Sequence, residues 1–222
     1  MNDANVNNKV SRGNAQPAPS PSVKPEQKIL WDFRKRDLGE TQEIPEAETR
    51  SVLKYILGDE SDSGLKITNR VSGSFTKPNV KETLYYMTGC QIPNTNKFIT
   101  DCPNPAANSE GWIAIYDGTI PVLKIHEGLG KAIVKVTDIN DDGINEILSV
   151  GGYDSGGYVA LAVHIGQISG SNYKQIKGFD GNLDTCSEQS TIALPPTKAL
   201  VLSYVPTADH KMPVLTEEYF QS

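Results

Sequence analysis

The nine residues Asp138-Ile139-Asn140-Asp141-Asp142-Gly143-Ile144-Asn145-Glu146 restrict this chain more than any other stretch. Oxygen-bearing side chains stand at its first, third, fifth and ninth positions, and a glycine stands at the sixth. Alternation turns the first three to one side, and the glycine lets the chain reverse sharply after them. A loop of this kind closes around a hard cation, since Ca2+ takes roughly six to eight oxygens at about 2.3–2.6 Å. The candidate ligands are the side chains of Asp138, Asn140, Asp142 and Glu146, with the carbonyl of Ile144. The flanks decide what the loop joins. Val134-Lys135-Val136-Thr137 enters it and Ile147-Leu148-Ser149-Val150 leaves it, and both runs are rich in β-branched residues. The loop therefore belongs at the turn of a β-hairpin.

An EF-hand loop shares the one-three-five-six-seven pattern, but it needs a helix on each side and a bidentate Glu at position twelve. Position twelve here is Ser149, and neither flank is helical in period. The strand–loop–strand arrangement instead resembles the FG-GAP/VCBS-type calcium hairpin of β-propeller proteins, including the integrin α-subunit propeller. In that family a strand runs into a D-x-[DN]-x-D-G-x-x-[DE] loop and leaves as an apolar, β-branched strand. The family's ligand positions fall on Asp138, Asn140, Asp142, the Ile144 carbonyl and Glu146. The resemblance runs from the Trp112 hairpin to Val150. It implies a structural Ca2+ and blade-like antiparallel sheets.

The same hairpin has an echo 64 residues earlier, where Ser74-Phe75-Thr76-Lys77-Pro78-Asn79-Val80-Lys81-Glu82 overlies the acidic loop. Glu82 matches Glu146 and Leu84 matches Leu148, while the first three ligand positions have become Ser74, Thr76 and Pro78. That copy is expected to hold no ion. A closed propeller needs roughly four or more four-stranded blades. The chain after its helix has strands for fewer, so propeller-like blades without a ring, or a sandwich carrying the hairpin, are the expected architectures.

The rest of the chain reads as mainly β. Residues 1–28 are polar and Pro/Asn-rich, with too little apolar surface to offset ordering, and are expected to be a disordered tail before a domain over 29–222. Trp31 and Phe33 mark a short strand or clip. The segment 45–57 has Val52, Leu53, Ile56 and Leu57 at helical spacing and Gly58 as a stop. Strands are expected at Leu65–Ser74, Glu82–Thr88, Trp112–Tyr116, Ile120–Ile125, Ala132–Thr137, Glu146–Val150, Tyr158–Ile168, Tyr173–Phe179, Thr191–Leu194 and Ala199–Val205. Asp117-Gly118 signals a hairpin, Asn94–Ser109 a long loop, and Gly151–Gly157 a wide β-turn rather than a phosphate loop, because a strand follows it.

A net charge of −6 and a pI near 5.1 oppose nucleic-acid binding, which needs a basic face. No apolar run is long enough for a transmembrane helix. Cys90 and Cys102 bracket one polar, proline-bearing excursion and are the expected disulfide, with Cys186 left over. Such a bridge would contribute about 3 kcal/mol in the loop-entropy view. The start of the sequence lacks the layout of a secretory signal, leaving two readings. Met1 opens a cytoplasmic protein, or the tail is the tether of an exported one (periplasmic, secreted or surface-bound); the tether reading is preferred.

The functional expectation is a calcium-binding exported β-domain with a non-catalytic metal site, acting through another protein or a cell-surface component. The alternative is a hydrolase in which His126 or His164 meets a carboxylate in a cleft. No nucleophile elbow, zinc-protease, P-loop or dinucleotide motif is present. His210 sits in a polar loop, and Asp180 and Asp184 have no role that spacing can assign.

Overall fold

A computed structural model describes residues 26–35, 43–58, 65–91, 98–99, 109–130, 132–155, 158–184, 198–207 and 209–221. The tail expected at 1–28 is therefore mostly outside them, as are Cys102, Cys186, the strand expected at Thr191–Leu194 and the acidic run at 59–64. The fold is mainly β. In order come β1 (Lys28–Asp32), a 3₁₀ turn (Phe33–Lys35), α1 (Glu46–Leu57), β2 (Lys66–Gly73), β3 (Glu82–Gln91), β4 (Phe98–Ile99) and β5 (Ser109–Asp117). Then follow β6 (Ile120–His126), β7 (Ala132–Thr137), β8 (Glu146–Ser155), β9 (Tyr158–Ser169), β10 (Asn172–Asp184), β11 (Lys198–Tyr204) and β12 (Leu215–Gln221).

Two up-and-down meanders dominate, β2-β3-β5-β6 and β7-β8-β9-β10, and every pairing is antiparallel. Their first hairpins share one register under the 64-residue shift: Gly73 pairs with Glu82, and Thr137 pairs with Glu146. The internal echo in the sequence is thus an echo in the backbone. The second meander continues through β10 into β11, whose other edge carries β12 and whose far half pairs with β1.

Side-chain alternation turns these sheets into stacked layers. On β8, Ile147 joins a core with Phe75, Leu84, Tyr86, Ile113 and Ile115 of the first meander, while Leu148 and Val150 point the other way. There they meet Leu30, Leu200, Leu202, Tyr204 and Leu215 from β1, β11 and the start of β12. Helix α1 covers the outer face of the first meander, packing Val52, Leu53 and Ile56 on Ile67, Tyr85, Met87 and Tyr116. Its Glu48 ties it down by accepting from Arg70 at 2.7 Å and from the Tyr85 hydroxyl. No ring closes. The architecture is sandwich-like, with blade-shaped layers.

Several boundaries differ from the expected ones. Gly151–Ser155, expected within a wide turn, are strand, and β8 pairs with β9 up to Ser155 opposite Tyr158. β4 lies within the expected long loop and pairs with the end of β3 at Cys90. The hairpin turn falls at Gly118-Thr119, one residue later than expected, with Gly118 at φ 58° supplying the left-handed corner. β12 has no counterpart among the expected strands, because Thr216-Glu217-Glu218 reads as polar loop; it adds an edge whose outward face stays wet. Cys90 is buried and disulfide-bonded. Among the described residues no helix is long and apolar enough to cross a membrane.

Candidate metal centre

The acidic loop joins β7 to β8, as its flanks require. Ile139 is 3% exposed and pins the loop into the core between the second and third layers. Around that anchor the polar side chains fold back on the turn. The two oxygens of Asp138 accept the backbone N–H groups of Asp142 at 3.1 Å and of Gly143 at 2.8 Å. Asp142 accepts the Ile144 N–H at 2.8 Å and the Asn140 amide at 3.0 Å. Gly143 holds φ at 85°, the reversal for which a glycine was expected.

Glu146 is 1% exposed, and its two oxygens differ. Oε2 accepts the Ile139 N–H at 2.8 Å. Oε1 is buried and has no hydrogen-bond partner among the described residues. Burial, and after it the carboxylates of Asp142 and Asp138, push the Glu146 pKa up to about 7; the Ile139 N–H works in the opposite sense. The loop thus contains a buried, half-satisfied carboxyl group beside two more carboxylates.

The first-copy loop and the C-terminal segment hold this turn from either side. Asn79 N–H donates to the Gly143 carbonyl at 2.9 Å, Asn145 N–H to the Ser74 carbonyl at 2.7 Å, and Ser74 N–H to Asn145 Oδ1 at 2.6 Å. A side chain at Gly73 would collide with that Asn145 oxygen, so the close approach requires glycine there. His210 makes a hydrogen bond from its Nδ1 to the Asp141 carbonyl. Tyr204 on β11 faces the loop from the third layer, and burial followed by Asp138 and Glu146 raises its pKa.

Asp138, Asn140, Asp142, Ile144 and Glu146 are thus brought into one turn, with Asp142 and Asp138 close enough to raise the pKa of Glu146. Asp138 and Asp142 point at loop N–H groups, and among the described residues no cluster of three or more His, Cys, Asp or Glu stands gathered as a metal cage. The donor chemistry is nonetheless that of a hard cation: carboxylate, amide and backbone oxygens, one of them buried and bare. Ion binding would exchange the Asp138 and Asp142 bonds to the turn for bonds to the metal. Sequence reasoning gave Asn145 no role and missed Tyr204 and His210, because Ser74, which Asn145 bonds, and the other two side chains reach the loop only through tertiary packing.

The histidines part ways. His126 stacks on Trp112, with ring centroids 4.2 Å apart. His164 lines a cavity to which Glu127 also contributes. Ser149 is directly paired with His164 across the strands, and the Ser149 hydroxyl faces that of Tyr173. Asp180 and Asp184 pair along β10 with Ala162 and Val159. No protein-family model, curated protein or solved structure matches this chain.

Proposed function

We propose that the chain is a calcium-binding β-domain of the exported kind, whose Asp138–Glu146 hairpin is clasped by one structural, non-catalytic Ca2+. The observation that carries this reading is the bare, buried Oε1 of Glu146 beside Asp138 and Asp142. A buried carboxylate without a counter-charge is costly, and a divalent cation offsets several at once. Asp138, Asn140, Asp142 and Glu146 would hold it by side chain and Ile144 by its carbonyl, as the FG-GAP/VCBS resemblance implies. The ion supplies fixed positive charge that cross-links the end of β7 to the start of β8.

Export is supported by the disulfide at Cys90, since such bonds persist in oxidising compartments. The partner would be another protein or a cell-surface component. Apolar side chains are exposed on two strands at sheet edges, Ile120 and Val122 on β6 and Tyr219 and Phe220 on β12. The deciding experiment is thermal unfolding after exhaustive chelation, paired with Ca2+ titration calorimetry. A lowered melting temperature that Ca2+ restores is expected. An unchanged curve with no heat of Ca2+ binding rules the proposal out.

A further inference from the structure

Among the described strands, every open sheet edge but one is blunted or covered. β2 and β7 face each other through the two Asn69–Ile133 bonds. β1 has a bulge between Ile29 and Trp31, and its Leu30 carbonyl accepts from Lys135 at 3.0 Å. β6 carries Pro121 and a register break beside Tyr116. β10 breaks register between Gln175 and Lys177 and again between Asp180 and Asn182, and β4 is two residues long. Bulges, proline and short length keep an edge from adding strands. β12 has none of these devices. It pairs with β11 over seven consecutive residues, Leu215–Gln221, without a register shift, and no described strand lies on its second edge. That edge presents a regular row of backbone N–H and C=O groups.

The side chains decide what can add there. Thr216 through Phe220 are all exposed, although they lie in one strand. Glu218 shares a face with Thr216 and Phe220, and Glu217 shares the other with Tyr219. The Arg34 guanidinium lies over the Phe220 ring, 4.3 Å from its centre, and holds that end of the strand. Glu217 lies 3.7 Å from Lys177, whereas Arg34, the cation that feels Glu218, is already bound by Asp32 at 2.8 and 2.7 Å. A second copy is a poor complement. Self-pairing would bring Glu217 and Glu218 of both copies onto one short seam, and like charges across a ladder destabilise it. A cationic strand meets the opposite condition. Lys or Arg beside Glu217 and Glu218 gains charge pairing on both faces, and β-branched or aromatic residues beside Tyr219 and Phe220 gain cross-strand packing. The glutamates thus exclude one class of partner and select another.

We propose that β12 is a docking edge to which a basic, extended segment of a partner protein adds as a further strand, its Lys or Arg side chains beside Glu217 and Glu218. The inference rests on the reading that this domain acts through another protein, and it is independent of the calcium clasp. The probe is the peptide Thr-Val-Tyr-Lys-Lys-Thr-Val, labelled with fluorescein at its amino end and amidated at the other. Its binding to the full chain is followed by fluorescence anisotropy in excess Ca2+ and again in chelator, so that failure of the edge and failure of the clasp are separate results. Saturable binding is expected in both conditions, with hydrogen-exchange protection gained at Leu215–Gln221.

The same peptide with Glu-Glu in place of Lys-Lys should not bind. Neither should the Lys-Lys peptide N-methylated at both lysines, which blocks its two edges and prevents the ladder. Glu218→Lys, at an exposed position, should leave the melting temperature unchanged, weaken binding of the Lys-Lys peptide about tenfold and strengthen that of the Glu-Glu one. The proposal is overturned by no saturable binding, by equal affinity for the two peptides, or by binding that N-methylation or Glu218→Lys leaves unchanged. Protection that appears away from β12 overturns it too, as does sedimentation showing a dimer that Glu218→Lys dissolves. Binding confined to one of the two conditions overturns its independence from the clasp.

Discussion

Glu82 and Glu146 occupy the same position in two copies of one hairpin, yet only Glu82 has both carboxylate oxygens satisfied. Glu82 accepts the N–H groups of Phe75 at 2.7 Å and Thr76 at 2.8 Å on Oε2, and the Thr76 hydroxyl on Oε1. In the second copy the Thr76 position is Asn140, whose amide turns to Asp142, and Glu146 Oε1 is left bare. One copy is closed by its own threonine; among the described residues nothing closes the other. The same substitution should therefore act with opposite sign at the two sites. Glu82→Gln is expected to cost about 1–3 kcal/mol, because an amide cannot accept all three bonds. Glu146→Gln should stabilise the chelated protein by about 1–3 kcal/mol through loss of a buried charge, and should abolish the stabilisation by Ca2+. Denaturant unfolding of both variants, with and without chelator, checks this pair.

The Glu146 carboxyl also sets a pH dependence. Its folded-state pKa is about 7 against an ordinary 4.5, so the folded, ion-free protein holds a proton that the unfolded chain has released. Stability from this group is intact below the ordinary value, falls as pH rises through that window, and levels off above it. The full loss is about 3 kcal/mol. The proposed Ca2+ would bind the ionised form, so its affinity should rise with pH over the same window. Urea midpoints in chelator at about pH 5 and about pH 8 should drop with pH in the wild type and stay level for this contribution in Glu146→Gln. A wild-type midpoint that rises with pH in chelator would contradict the assignment.

Asp138 and Asp142 serve two purposes, which can be separated. Each already caps turn N–H groups without an ion, so the Asp138→Ala/Asp142→Ala double variant should lose about 1–3 kcal/mol even in chelator. The proposed clasp adds a second consequence: the variant should melt at one temperature with or without Ca2+. Melting curves for wild type and variant, each in chelator and in excess Ca2+, separate capping from ion binding. A Ca2+ response surviving in the variant would place the ion elsewhere.

The strand order of the second hairpin, the helix at 46–57 and the glycine reversal at 143 were legible because each is written in local periodicity or a single backbone requirement. The echo at Ser74–Glu82 was legible because Glu82 and Leu84 kept their spacing, and the shared register of β2–β3 and β7–β8 gives it a structural form. The stacking of layers was not legible. Whether Ile147 or Leu148 faces the first meander depends on which sheet approaches which face, and alternation alone leaves that open. β12 was missed because an edge strand with one wet face looks like a polar loop.

The acidic loop is docked where the two meanders meet, and one buried side chain bridges them. Asn69 on β2 donates its amide to the Ile133 carbonyl of β7 at 3.0 Å and accepts the Ile133 N–H at 2.8 Å. These residues are themselves equivalent under the 64-residue shift. The bonds stand where the two first strands pack, toward the opposite strand ends from the Asn79–Gly143 and Ser74–Asn145 bonds. Asn69→Ala removes both and strands a buried backbone N–H and C=O, at an expected cost of about 2–4 kcal/mol. Because the loop-to-loop bonds need the same docking, the variant should also bind Ca2+ more weakly while keeping all five proposed ligands. Calorimetric Ca2+ titration of Asn69→Ala, alongside its unfolding midpoint, tests the coupling. Reduced stability with unchanged Ca2+ affinity would mean that the hairpin holds its ion without help from the first meander.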